Sequence, residues 1–106
     1  MEEIVVVIVT VGTEQKGIEI GKALIEERLA ACVNLLKGVR SLFLWKGSLT
    51  EDQEILMLIK TRRSIFPKLM DRVVELHPYQ VPEIIALPVV EGSSSYLQWV
   101  AEMTGP

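Results

Sequence analysis

The chain of 106 residues has one cysteine and one histidine. One cysteine cannot close a disulfide within the chain, so nothing here calls for an oxidising compartment. A closed zinc site takes four ligands, mostly cysteine and histidine, and Cys32 with His77 cannot supply them. A basic surplus is missing too. The formal net charge of -3 argues against non-specific nucleic-acid binding and against docking on anionic membranes. Aromatic residues make up only 6% of the chain, so the core must be aliphatic. The apolar run from Ile4 is interrupted at Thr10 and is too short to cross a bilayer. Glu2 and Glu3 stand where a signal peptide would carry positive charge. What remains is one cytoplasmic domain over residues 1–106, with 49% hydrophobic residues to fill a core.

Periodicity divides that domain into seven elements. The β-branched run Ile4–Val11 reads as a buried strand. Thr13 is a candidate N-cap for an amphipathic helix reaching about Ala30, with Ile18, Leu24, Ile25 and Leu29 near one face. Residues 32–45 read as a strand with a bulge or bend at Gly38, and "KGSLTED" as a turn. Residues 54–61 complete a long hairpin. Ser64 opens a helix with Pro67 in its first turn, and Phe66, Leu69, Met70, Val73 and Leu76 mark its buried face. Pro78 should stop that helix at or before His77. Residues 84–90 form a last strand, with Pro88 indicating an edge or a bulge. "EGSSS" leads into a short helix carrying Tyr96, Leu97, Trp99 and Val100. The order β-α-β-β-α-β-α implies an α+β, ferredoxin-like βαββαβ sandwich with an antiparallel sheet and a short C-terminal helix.

Two helices cover one face of such a sheet, yet "IVVVIV", "LFLW", "ILMLI" and "EIIALPVV" are apolar on both faces. Another copy of the chain is the economical cover for the second face.

The motifs are few. "GTEQKG" starts like a phosphate loop, but Ile18 and Glu19 follow where lysine and a hydroxyl residue are needed. Cys32, among Ala30, Ala31 and Val33, reads as a buried structural cysteine. His77 reads as a helix stop favoured by the helix dipole. It is also the one imidazole available to a cation, which would need oxygen donors or a neighbouring chain to complete its shell. Pro78 and Pro82 stiffen "HPYQVPEII" and hold Tyr79 and Glu83 relative to His77. Trp45, Tyr79 and Trp99 read as core, pocket or interface. Lys60, ending an apolar strand, either reaches to water or pairs with an acid at a site. No activated catalytic pair is visible, so an enzyme is not expected and no cofactor is obligatory.

Five segments in order resemble one known family: "EERLAACVN" (26–34), "SLFLWKG" (41–47), "EILMLIKT" (54–61), "HPYQVPEIIALPV" (77–89) and "YLQW" (96–99). They are similar to the CutA family of divalent-cation tolerance proteins. The resemblance implies a ferredoxin-like fold, a homotrimer shaped like the PII signal-transduction proteins, and binding of copper or other divalent cations such as zinc. Val9 and Leu76 stand where some bacterial members carry a cysteine and a second histidine, so His77 is what remains of that ligand set. The alternative is a PII-like regulator that binds a small anionic metabolite in clefts between subunits, through Lys60, Tyr79 and Trp45.

Overall fold

The computed structural model describes residues 2–105; Met1 and Pro106 of the expected domain lie outside them. The elements run β1 (Ile4–Val11), α1 (Glu14–Glu26), β2 (Cys32–Trp45), β3 (Ser48–Arg62), α2 (Phe66–Leu76), β4 (Ile84–Pro88) and α3 (Ser94–Met103). The strands form one sheet in the order β2-β3-β1-β4, antiparallel throughout. This is the ferredoxin-like sandwich, with α1 and α2 on one face.

Odd-numbered residues of β1 and β3 point to those helices. Val5, Val7, Val9, Val11, Ile55, Met57 and Ile59 form the main core with Ile20, Leu24, Leu69 and Val73. Thr13 caps α1, its Oγ1 accepting from Lys16 N at 3.1 Å. The buried face of α1 differs from the sequence expectation. Gly17, Ile20, Gly21 and Leu24 face the sheet, while Ile18 and Ile25 remain 39% and 44% exposed. The reason is close approach. A Cβ on Gly17 would sit 2.7 Å from Leu35 Cδ2, and one on Gly21 would sit 3.2 Å from Val33 Cγ1. The glycine side thus seats the helix, and the bulkier isoleucines are turned to its flanks.

α1 also stops earlier than expected. Arg28 takes a left-handed conformation at φ 60°. The N–H groups of Leu29 and Ala30 then both return to Leu24 O, at 2.8 and 3.2 Å. The Arg28 guanidinium bonds Gly105 O (2.8 Å) and Glu102 O (2.9 Å), tying this turn to the end of α3. Ile65 rather than Ser64 caps α2, with Pro67 in the first turn as expected. β4 ends at Pro88 and pairs only with β1, so the proline lies on an edge strand where no ladder donor is missed.

The hairpin is longer than the sequence suggested, because β3 begins at Ser48 directly after Lys46 and Gly47. Both turn residues have positive φ, 50° and 81°, as a two-residue type I′ turn requires. The molecule therefore extends 44 × 25 × 22 Å. The bulge lies between Leu36 and Val39, where Gly38 has φ 76°.

The second face of the sheet is covered at one end only. There Ile4, Ala31 and Val100 form a small cluster with Val89 and Leu97. Val6, Ile8, Leu56 and Leu58 on the same face remain half-buried. The strands are apolar on both faces, as their composition indicated, and α3 is too short to cover the second.

Candidate functional site

The "HPYQVPEII" segment carries the chain from the helical face of the sheet around to the open one. α2 ends with His77 as its C-cap, in extended backbone (φ −80°, ψ 134°) and with its N–H bonded to Val73 O at 2.8 Å. The helix stop expected at His77 and Pro78 is present. The ring is 7% exposed and both of its nitrogens are engaged. Nε2 donates to Thr10 O at 2.7 Å, and Nδ1 accepts from Tyr79 N–H at 3.1 Å. This pattern fixes a neutral imidazole protonated on Nε2. It leaves no ring lone pair free for an ion or for proton transfer.

Tyr79 stacks obliquely on His77, with centroids 4.6 Å apart at 59°. Its hydroxyl reaches across the sheet end and donates to Glu54 Oε2 at 2.7 Å. Burial, and then the Glu54 and Asp52 charges, push the Tyr79 phenol well above the ordinary tyrosine range. Glu54 is 7% exposed.

The bulge at Gly38 re-phases β2. Before it, Cys32 and Asn34 share the open face with Lys60 and Leu58; after it, Val39, Ser41, Phe43 and Trp45 oppose Glu54, Asp52, Thr50 and Ser48. One extra residue thus brings two aromatic side chains to the same face as two carboxylates. Between this half of the hairpin and the returning segment lies a cavity of about 580 Å³, within the size range of small-molecule sites. Leu42, Phe43, Trp45 and Val81 provide apolar wall; Asp52, Glu54 and Glu83 provide carboxylates; Thr10, Ser41, Thr50, Gln80 and the Tyr79 ring complete it.

Of the residues singled out from sequence, Tyr79, Glu83 and Trp45 meet at this cavity, and His77 anchors its wall from behind. Pro78 directly follows the C-cap, and Pro82 precedes Glu83. Lys60 is elsewhere. It is the register partner of Cys32, and its Nζ donates to Asn34 Oδ1, where an acid had been one of the two expected outcomes. Cys32 is corrected as well: it is half-buried rather than sealed in the core, because its position falls on the open face. Its Sγ lies 3.8 Å from Asn34 Oδ1. Burial, and next the neighbouring Cys32, raise the Tyr96 phenol. Phe43, Asp52 and Glu54 were missed as site residues. The signal for the carboxylates was their spacing of two residues on one strand, which puts both on one face.

No Lys, Arg or His lines the cavity, so its chemistry opposes anions. Among the described residues, no group of three His, Cys, Asp or Glu side chains could hold a metal ion. Both His77 nitrogens are already engaged within the chain.

The sequence matches the family model described as CutA1 divalent ion tolerance protein over residues 5–103. It is 55% identical over 105 residues to the divalent-cation tolerance protein CutA of Thermus thermophilus, covering 99% of this chain and 100% of that protein. Protein CutA of Homo sapiens is 51% identical over 96 residues, covering 91% of this chain and 54% of that protein. The chain thus spans about half the length of that animal relative. Among solved structures, the T. thermophilus protein superposes with a TM-score of 0.93 at 55% identity, covering 99% and 100% of the two chains. CutA1 from Oryza sativa gives 0.95 at 40% identity, covering 98% and 95%. No helix among the described residues is long and apolar enough to cross a membrane. The chain belongs to the CutA1 divalent ion tolerance family.

Proposed function

We propose that this protein acts in divalent-cation tolerance as a non-enzymatic homotrimer, PII-like in assembly, which binds copper or zinc weakly at positions completed by a neighbouring copy. Family membership supports the tolerance role. The observation that carries the assembly is the open sheet face, where Val6, Ile8, Leu56 and Leu58 have only α3 at one end for cover. A second copy removes that surface from water at roughly 25 cal/mol per Å². Sharing of ions between copies follows from the donor set. One chain offers carboxylates at the cavity and no three-ligand group among its described residues, and oxygen donors hold divalent ions when enough of them converge. A cytoplasmic location accords with one cysteine half-buried as a free thiol.

Sedimentation tests the assembly: a species of about 36 kDa is expected, three times the 11.9 kDa chain, and a monomer at micromolar concentration refutes it. Copper and zinc titrations test the ligands. Asp52→Asn and Glu83→Gln should weaken binding. His77→Gln should leave it unchanged, since the imidazole nitrogens are already engaged. Loss of binding in His77→Gln alone would return the site to the histidine.

A further inference from the structure

We infer that Lys60 of one copy pairs with Glu54 of the next, so that copies of this chain join head to tail across their open sheet faces. The inference rests on the reading of that face as the interface of a homotrimer, and it names the polar contact that orients the copies.

The open face carries opposite charges at its two ends. At one end Lys60 is half-buried, and its ammonium donates to the neutral side-chain oxygen of Asn34. Arg62, two residues on along the same face, is already paired with Glu2 at 3.1 Å. At the other end Glu54 is 7% exposed and accepts from a neutral donor, the Tyr79 hydroxyl. Neither Lys60 nor Glu54 has a salt-bridge partner among the described residues. Between them on β3 stand Leu56 and Leu58, flanked on β1 by Val6 and Ile8. Along the strand the face thus reads cation, apolar strip, carboxylate.

One chain cannot join these ends, because six residues of strand hold them about 20 Å apart. Covering the apolar strip with another protein surface takes the flanking charges out of water as well, and a charge left unpaired there is strongly penalised. The two demands have one solution in a second copy. With the strips in contact and the copies head to tail, the lysine end of one meets the carboxylate end of the next. Docking like end to like end would instead set ammonium against ammonium and carboxylate against carboxylate. In a closed ring each interface is of this heterologous kind, so every copy gives one lysine and receives one. Asp52 and Glu83 are exposed at the rim and remain available to divalent ions.

A double-mutant cycle on the full chain tests this, with a chelator present so that no metal contributes. Lys60→Met keeps the aliphatic stem, and Glu54→Gln keeps an acceptor for the Tyr79 hydroxyl. Urea unfolding of the parent, both single variants and the double variant at one protomer concentration gives the coupling. Residues about 20 Å apart in one chain should have additive effects, so non-additivity reports a contact between copies. Each single variant should weaken the assembly, because it strands the partner's charge. The double variant should be about tenfold more stable than the sum of the singles predicts, a coupling of about 1.4 kcal/mol. Effects that add to within about twofold overturn the inference, as does a double variant less stable than that sum. Sedimentation of the parent separates the two readings: a trimer with an additive cycle removes this pairing alone, whereas a monomer removes the assembly and the pairing with it.

Discussion

His77 holds the returning segment to the sheet, and its removal can be sized from its contacts. In His77→Ala, Thr10 O loses the 2.7 Å imidazole donor at a buried position. An orphaned buried acceptor costs about 1–3 kcal/mol. The Tyr79 N–H loses its Nδ1 acceptor at a part-buried position that water can reach, so that bond costs nearer its net worth of about 0.5–1.5 kcal/mol. The Tyr79 ring also loses its stacking partner. Together these predict a loss of about 2–4 kcal/mol. His77→Gln is the informative companion. Its amide reaches about as far as Nε2 and can donate to Thr10 O, but it cannot also accept from Tyr79 N–H. It should recover roughly half of the loss. Urea unfolding at fixed protomer concentration, followed by the fluorescence of Trp45 and Trp99, measures both variants. If His77→Ala unfolds within about 0.5 kcal/mol of the parent, the ring contacts are not structural and the argument fails.

Gly38→Ala should cost about 1–2 kcal/mol, since φ 76° is left-handed backbone; an unchanged urea midpoint would contradict this. Gly21→Ala gains about 1 kcal/mol of helix propensity but meets the stiff Val33 side chain at 3.2 Å, so overpacking of about 1–3 kcal/mol should make it net destabilising. A rise in its urea midpoint would show that the helix can shift. The Tyr79 phenol is raised in the folded state, by burial first and then by Glu54. The folded protein therefore holds that proton more tightly, and the stability it confers is complete below pH about 10 and declines as pH rises above it. Tyr79→Phe should flatten this alkaline limb, and an identical limb in both proteins would refute the assignment. If the open face is the trimer interface, a thiol reagent should label Cys32 slowly in the assembled protein and rapidly in urea; fast labelling of the assembly would place Cys32 outside the interface.

The backbone elements were legible because each is dictated locally. The β-branched run at Ile4–Val11, the proline stop after His77 and the full extent of β2 need no tertiary information. The face of α1 was not legible from hydrophobic spacing. Ile18, Ile25 and Leu29 are the more conspicuous residues, but helix seating is decided by close approach, and Gly17 and Gly21 permit it. Hydrophobic weight was a poor guide where small residues set the distance. The cavity was legible in part. Tyr79, Glu83 and Trp45 were identified and do line it, whereas Lys60 was grouped with them and lies beside Cys32 and Asn34. Strand position decides that difference: Lys60 and Glu54 share a face, but six residues of strand separate them by about 20 Å. The half-buried state of Cys32 has the same origin. Its apolar sequence neighbours suggest a core, but strand alternation turns the thiol to the open face.

The two features that one chain leaves unsatisfied lie on the same side of the sheet. The half-buried residues Val6, Ile8, Leu56 and Leu58 share their face with Thr10, Glu54 and, past the bulge, Asp52, Phe43 and Trp45. Apolar surface is best covered by another protein surface, and unpaired carboxylates by cations. The bulge at Gly38 brings these demands onto one face, because without the extra residue Ser41, Phe43 and Trp45 would point to the helical side. If the proposed assembly forms and the cavity takes a cation, this geometry couples the two. A copy docking on the apolar strip passes close to the acidic cavity, and a cation in that cavity lowers the repulsion which an approaching copy with the same three carboxylates would meet. Such a cation should bind the assembly more tightly than the separated chain, and by linkage should strengthen the assembly. Sedimentation of the parent at limiting dilution, with and without zinc, measures that coupling. A dissociation midpoint unmoved by saturating ligand would show that the cavity and the interface act independently.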